Sequence, residues 1–237
     1  MFDLPDKYKV SKKIPLKDFI QKDFKPEIKK KIKDNVKSVY IDFQIFGEDI
    51  PSIVDSEYNY QVIQFYSFEI KDIKKANFIA DIYQQVIKAP CVIRLYDNKN
   101  EVYSFAIKRL NQNDKTEIVI TDKFLSKIFP LVIPSIEKTN FLKELSYKNI
   151  KNNTDKLCFY IELYLKSYII KNEKLYINIK SLLNKPIWYD KNKMLEVYYL
   201  LYELSKNKEN IEKVNTNSEK IKFNQNIREL ISKLDKI

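Results

Sequence analysis

Apolar side chains recur along the chain with two different periods, and the changes of period predict its elements. Residues 36–46 are apolar at every second position, which is typical of a half-buried strand. Residues 19–32 and 76–87 are apolar at every third or fourth position, which predicts helices. β-Branched and aromatic residues predict further strands at 61–71, 91–96, 102–110 and 117–121.

The order of these elements predicts an α+β fold. A helix, two strands, a helix and a three-strand meander favour a largely antiparallel five-stranded sheet with helices on one side. From Pro130 and Pro134 onward every segment has helical spacing, which predicts an all-helical C-terminal region. We therefore predict an α+β domain with a basic N-terminal helical segment at 1–130 and a helical region at 131–237.

The last predicted helix, at 217–236, carries a seam of apolar residues at alternating steps of four and three. Two heptads are too few to establish a coiled coil. The seam therefore predicts either docking on the protein's own body or contact with a partner, including a second copy in a homodimer. Its residues are Phe223, Ile227, Leu230 and Leu234.

Composition excludes several classes of enzyme. The chain has no histidine, so it cannot form a Ser-His-Asp relay or a histidine-ligated zinc site. Its one glycine, Gly47, cannot build the glycine-rich loops that bind nucleotide phosphates. Carboxylate, lysine and tyrosine chemistry remain, or no catalysis at all.

The chain also lacks the pattern of a membrane or secreted protein. No stretch of about eighteen apolar residues is present, and the first ten residues lack the apolar core of a signal peptide. The two cysteines, Cys91 and Cys158, lie in apolar runs and predict buried reduced thiols. We expect a cytoplasmic protein with no membrane contact.

The formal net charge of +11 is concentrated at the two ends of the chain. Residues 1–37 contain 12 lysines and 6 acidic residues, whereas residues 38–133 contain 11 basic and 13 acidic ones. This distribution predicts either a surface that binds DNA or RNA phosphates or the solvated faces of amphipathic helices. Abundant Lys, Asn and Ile are also typical of an AT-rich genome. The residues predicted to contact nucleic acid are Lys29, Lys30, Lys31, Lys33, Lys108 and Arg109.

One group of residues is compatible with phosphodiester hydrolysis. Asp42 followed by Glu69-Ile70-Lys71 matches the acid and E-x-K pattern of restriction-type nucleases, and positions 69 and 71 share one strand face. Asp42 and Glu69 would bind Mg²⁺, and Lys71 would orient or activate the attacking water. The alternative is a solvated sheet face with a cross-strand ion pair, and it needs neither cofactor nor metal.

Several segments, in order along the chain, resemble the bacterial family named domain of unknown function 4391. The opening Leu4-Pro5 and Lys13-Ile14-Pro15, followed by Lys17 and Phe19, resembles the start of that family. The other similar segments are Val62 to Ile70, Ala106-Ile107-Lys108-Arg109, and Glu219-Lys220 with Lys222-Phe223-Asn224, Ile227 and Leu230.

The resemblance implies an accessory role rather than a chemistry. Members of the family tend to be encoded beside helicases and DNA methyltransferases of restriction-like and phage-defence loci, which are then the expected partners. The family supplies no catalytic residues to carry over. We therefore expect a non-catalytic accessory protein that contacts partner proteins and nucleic acid, with a Mg²⁺-dependent nuclease with a degenerate D…ExK site as the alternative.

Overall fold

The computed structural model describes residues 1–237. The chain forms two compact units, Met1–Tyr164 and Leu165–Ile237, which divide inside a helix. The separate domains predicted at 1–130 and 131–237 stay a prediction.

The first unit contains a sheet, a separate hairpin and the helices that pack on the sheet. Its strands are β1 Lys9–Ile14, β2 Val36–Ile45, β3 Ile53–Val54, β4 Asn59–Tyr60, β5 Ile63–Ile70, β6 Cys91–Tyr96, β7 Asn100–Leu110, β8 Ile118–Leu125 and β9 Phe129–Pro130. Its helices are α1 Leu16–Phe19, α2 Pro26–Asn35, α3 Ala76–Val86, α4 Ile136–Glu144 and the first half of α5 Lys156–Lys171. Short 3-10 helices occupy Asp6–Tyr8, Ile73–Lys75 and Tyr147–Asn149.

The sheet has the order β1-β2-β5-β6-β7-β8, with β9 also paired to β7. Only β5 and β6 are parallel, because α3 carries the chain back across the sheet between them. The α+β class and the mostly antiparallel sheet are confirmed, but the sheet has seven strands rather than the predicted five. The two additional strands are an exposed lysine-rich edge strand, β1, and the two-residue β9, neither of which shows alternating burial.

The main core lies between one face of the sheet and α1 to α3. Ile32 of α2 and Ile79 and Tyr83 of α3 are buried against sheet residues that include Phe68. Phe19 of α1 closes this core, with its ring centre 5.9 Å from that of Phe68 and 5.4 Å from that of Tyr83. This is the layer of helices that the pattern predicted on one side.

The opposite face of the sheet is covered near its centre by aromatic side chains from both ends of this unit. The ring of Phe2 lies 6.3 Å from Phe65 of β5 and 6.3 Å from Phe141 of α4, between ring centres. The ring of Phe141 lies 5.4 Å from that of Tyr103 on β7. A second layer of packing therefore exists that the hydrophobic pattern did not predict.

Tyr160 of α5 is buried where the β6–β7 ladder opens. The last paired residues there are Ile93 and Ser104. Beyond them the Tyr160 hydroxyl lies 2.8 Å from the Cys91 carbonyl oxygen and 2.9 Å from that of Ala106, and it accepts the Ala106 N–H at 3.2 Å. The hydroxyl thus satisfies backbone groups that the ladder leaves unpaired.

The second unit is helical, as predicted. After the second half of α5 it contains 3-10 helices at Ile179–Asn184 and Pro186–Tyr189, then α6 Lys191–Lys213 and α7 Asn217–Lys236. The side chain of Asp190 caps α6 through two backbone N–H groups, and that of Thr216 caps α7 through the N–H of Glu219. The long helices α6 and α7 pack against each other.

None of the helices is both long and apolar enough to cross a membrane.

Candidate functional site

The two carboxylates of the predicted nuclease pattern lie on the same sheet face but in separate hydrogen-bond networks. Asp42 accepts a hydrogen bond from Ser67 Oγ at 2.5 Å. Glu69 accepts hydrogen bonds from Lys37 Nζ and Ser38 Oγ, each at 3.1 Å. Ser67 and Glu69 are alternate residues of one strand, so their Cα atoms are about 7 Å apart. Each carboxylate is held by its own neighbour on the adjoining strand.

The third residue of the pattern, Lys71, lies one position beyond the end of β5. Its side chain is exposed, and its backbone N–H donates to the Asn35 carbonyl at 2.8 Å. The ammonium that pairs with Glu69 is instead that of Lys37, and this ion pair lowers the pKa of the Glu69 carboxyl. The face carries the cross-strand ion pair that the alternative described. No group of three or more His, Cys, Asp or Glu side chains is placed to hold a metal ion.

A buried charged cluster, which sequence reasoning missed, lies on the same face around Glu101. The Glu101 carboxylate accepts hydrogen bonds from Arg94 Nε at 2.7 Å and from Tyr103 Oη at 3.1 Å. It also forms ion pairs with Arg94 Nη2 at 2.6 Å and Lys138 Nζ at 2.9 Å. The side chain of Glu101 is only 2% exposed. The sequence signal for this cluster is the short turn between β6 and β7, which pairs Tyr96 with Glu101. Arg94 lies two residues before Tyr96 and on the same strand face, so this pairing places it near the carboxylate.

A cavity of about 270 Å³ adjoins this cluster, but its charges are balanced. Asp42 and Glu101 line it together with Arg94 and Lys138. Since these two carboxylates and two cations offset each other, the cavity offers little net attraction to a charged ligand.

A second cavity, of about 300 Å³, has an unbalanced charge, and we call it the basic cleft. It is formed by β4, the α3–β6 connection, the end of β7 and the start of β8. Two hydrogen bonds connect these segments. The Leu110 N–H donates to the Glu57 carbonyl at 2.7 Å, and Tyr60 Oη donates to the Lys108 carbonyl at 3.2 Å. The residues that line the basic cleft are 59–62, 88–90, 108–110, 115, 116 and 118.

Lys108, one of the predicted phosphate contacts, is buried, and its contact with phosphate stays a prediction. Its residue is 2% exposed, and its ammonium donates to the carbonyls of Ile87 at 2.6 Å and Ala89 at 3.0 Å. The third contact is with Cys91 Sγ at 3.3 Å. Burial lowers the pKa of Lys108, because none of these three groups is a carboxylate.

Arg109, the next residue along β7, is half-buried and lines the basic cleft. Its Nε is buried and has no hydrogen-bond partner. A buried donor without a partner costs about 1–3 kcal/mol, so an acceptor placed there would be stabilising. The structure therefore brings Lys108 and Arg109 to one cleft but gives them different surroundings.

The four other predicted nucleic-acid contacts lie together on α2. Lys30, Lys31 and Lys33 are exposed, while Lys29 is half-buried and donates to the Lys22 carbonyl at 2.6 Å. The Lys31 ammonium lies 5.7 Å from the ring centre of Phe78. Contact of these lysines with phosphates stays a prediction.

The predicted partner seam lies on α7, at its contact with α6. Leu234 is buried inside the second unit, whereas Phe223, Ile227 and Leu230 are half-buried. Asn226 Nδ2 of α7 and Asn207 Oδ1 of α6 are 3.5 Å apart beside this seam. At least part of the seam thus packs on the protein's own body, and contact of the remainder with a partner stays a prediction.

Comparison with known proteins agrees with the resemblance that the sequence segments carry. No curated protein and no solved structure matches the chain. A family model described as domain of unknown function (DUF4391) matches residues 2–234. Because this match spans both compact units, the chain belongs to the family of domain of unknown function 4391.

Proposed function

We propose that the protein is a non-catalytic, cytoplasmic accessory protein of a bacterial restriction-like or phage-defence system that contacts nucleic acid and partner proteins. The observation that carries the proposal is the exposed lysine face of α2. Ile32 of this helix is fully buried in the core, while Lys30, Lys31 and Lys33 point to solvent. A helix anchored in this way presents its cations on a rigid support.

The charge around α2 is suited to a polyanion. Among the lysines of residues 1–37, Lys7 forms an ion pair with Asp49 and Lys37 forms one with Glu69. Lys30 and Lys33 have no acidic partner. Unpaired lysines on a surface attract phosphates and release bound counterions when they bind them. Such contacts position a protein on nucleic acid without reading its sequence, as an accessory role requires.

A concentration of exposed aliphatic side chains supports contact with a partner protein. Ile128, Val132, Ile133 and Ile136 follow one another around β9, and each is between 57% and 81% exposed. We call residues 128–136 the apolar loop. Contiguous exposed apolar surface is typical of protein interaction sites. A helicase or DNA methyltransferase encoded nearby is the proposed occupant, and a second copy of the chain is the alternative.

The nucleic-acid contact predicts a salt-dependent affinity for DNA that depends on α2. Replacing Lys30, Lys31 and Lys33 by Gln should weaken binding and reduce the slope of log K against log salt by about 2–3, since each lost phosphate contact removes about 0.9. Fluorescence anisotropy with a labelled duplex over a salt series measures this slope. The matched control is Lys220→Gln, Lys222→Gln and Lys233→Gln, which removes the same charge from exposed positions of α7. Equal slopes for the two triple variants, or no binding at low salt, would contradict the proposal.

The nuclease alternative makes a separate prediction. If Asp42, Glu69 and Lys71 catalyse cleavage, the protein should cut DNA only with Mg²⁺, and the variant Glu69→Ala with Lys71→Ala should lose that activity. On the accessory proposal we expect no cleavage by the wild-type protein in a plasmid-nicking assay. Mg²⁺-dependent nicking that both substitutions abolish would favour the nuclease.

A further inference from the structure

Four cationic side chains meet at the basic cleft, and no carboxylate lines it. The cations are Lys88, Lys108, Arg109 and Lys115. Two acids adjoin the lining: Glu117 pairs with Lys88 at 3.0 Å, and Asp114 accepts a hydrogen bond from the Thr116 hydroxyl at 2.7 Å. Four basic side chains against these two carboxylates leave an excess of positive charge, in contrast to the balanced cavity beside Glu101.

Two lysines at the mouth of the cleft each donate to a backbone carbonyl. Lys115 Nζ donates to the carbonyl of Ser56, and Lys88 Nζ donates to that of Thr116 at 2.8 Å as well as to Glu117. Both lysines are exposed, so an anion in the cleft can exchange with these neutral carbonyls at small cost. Arg109 adds a buried Nε–H that has no acceptor.

Lys108 lies buried beside the cleft. Its side-chain nitrogen contacts two carbonyls and a thiol, so no carboxylate offsets the charge of its protonated form. Charges in a poorly solvated interior act over longer distances than exposed ones. An anion held in the cleft would favour the protonated form of this amine, whose pKa burial lowers.

The remaining lining limits the ligand to a small one. Tyr60, Val62, Pro90 and Ile118 supply apolar groups, and Asn59 and Gln61 supply amides. A volume of about 300 Å³ is at the small end of ligand sites, too small for a duplex but adequate for a small organic anion.

We propose that the basic cleft binds the phosphate group of a nucleoside monophosphate, with Arg109 and Lys115 donating to the phosphate oxygens. The group has two sources, a free nucleotide or the 5′-phosphorylated end of a nucleic-acid strand. The site is distinct from the lysine face of α2 and does not depend on it.

The test is calorimetric titration of the full-length protein with AMP. We expect wild-type protein to bind AMP, and Lys115→Gln and Arg109→Gln each to weaken binding about tenfold. The control Lys99→Gln, at an exposed position outside the cleft, should bind within about twofold of wild type. Absence of binding to wild type at millimolar AMP, or equal affinity in all four proteins, would overturn the proposal. Lys115 is exposed, so its variant remains informative if Arg109→Gln does not fold.

A second titration separates the two sources. Short single strands with a 5′-phosphate and with a 5′-hydroxyl are compared in wild type and Lys115→Gln. A preference for the phosphorylated strand that Lys115→Gln removes indicates a strand end, whereas AMP binding without that preference indicates a free nucleotide. The α2 triple variant should bind AMP normally, so a failure of the DNA-binding proposal and a failure of this one give different results.

Discussion

Glu101 is a buried carboxylate that accepts hydrogen bonds from three side chains. Arg94, Lys138 and Tyr103 all donate to its carboxylate from different elements, β6, α4 and β7. Because the site is buried, removing the negative charge would leave two cations without compensation, which costs more than the pair itself contributes. Glu101 therefore links α4 to the sheet through charge as well as through packing.

The residue prediction concerns this cluster. Glu101→Gln should lower the free energy of unfolding by about 3 kcal/mol, because Arg94 and Lys138 would keep their desolvation cost without the balancing charge. Asp81→Asn is the matched control, since its pair with Lys123 is exposed and should contribute less than about 1 kcal/mol. Urea denaturation followed by circular dichroism measures both. A loss below about 1 kcal/mol in Glu101→Gln would show that the buried charges contribute no more than an exposed pair.

At the same scale, Lys108 and Arg109 show what a residue pattern can and cannot predict. Adjacent residues of a strand point to opposite faces, so the sequence alone indicates that the side chains of Lys108 and Arg109 have different surroundings. The sequence could not predict that the carbonyls of Ile87 and Ala89 accept hydrogen bonds from the Lys108 side chain, because those carbonyls belong to the α3–β6 connection. A basic pair at the end of a strand predicted phosphate contact for both residues, and this contact stays a prediction for each.

Among the elements, α7 shows how a heptad seam is used inside one chain. Its apolar residues pack against α6, whose buried residues are Met194, Val197, Tyr198, Leu201 and Leu204. Of the seam, Leu234 is the residue fully removed from solvent. The helix is thus anchored near its C-terminal end, and its exposed positions are mainly charged.

The element prediction is that Leu234 stabilises this helical pair. Leu234→Ala should lower the free energy of unfolding by about 2–3 kcal/mol, the cost of deleting buried methyl groups and leaving a cavity. Ile221→Ala, at an exposed position of the same helix, should change it by less than about 0.5 kcal/mol. Thermal denaturation of both variants provides the comparison. A stable Leu234→Ala variant that has lost a partner or its own dimer would assign the seam to association instead.

For the molecule as a whole, the proposed accessory role requires surfaces that remain open to partners. The apolar loop and the lysine face of α2 both belong to the first unit, on different elements. Their chemistry differs, since aliphatic side chains favour a protein and lysines favour phosphates. The two contacts should therefore be lost independently.

The whole-molecule prediction tests this independence. Val132→Ser with Ile133→Ser should abolish co-purification with a helicase or DNA methyltransferase encoded nearby, while DNA affinity stays unchanged, because only apolar surface is removed. Ile177→Ser is the control, as it removes an exposed aliphatic side chain elsewhere. Partner capture that survives both substitutions in the apolar loop would reject this surface. Size-exclusion chromatography of the same variants reports whether the loop instead joins two copies of the chain.

The sequence by itself determined the class of fold and most of its elements. Apolar residues recur at every second position of a strand and at every third or fourth position of a helix, because those side chains face a core. Strands such as β2 and helices such as α3 were therefore predictable from local spacing. The missing histidines and glycines excluded whole chemistries, and the ordered segments identified the family.

Only the tertiary structure decided the number of strands and the distribution of charge among cavities. β1 is a strand because it pairs with β2, since its own side chains are mostly exposed and carry no apolar alternation. The balanced cavity beside Glu101 and the unbalanced basic cleft each combine residues that are distant in the chain. Charge pairing depends on distance in space, which a single sequence does not contain.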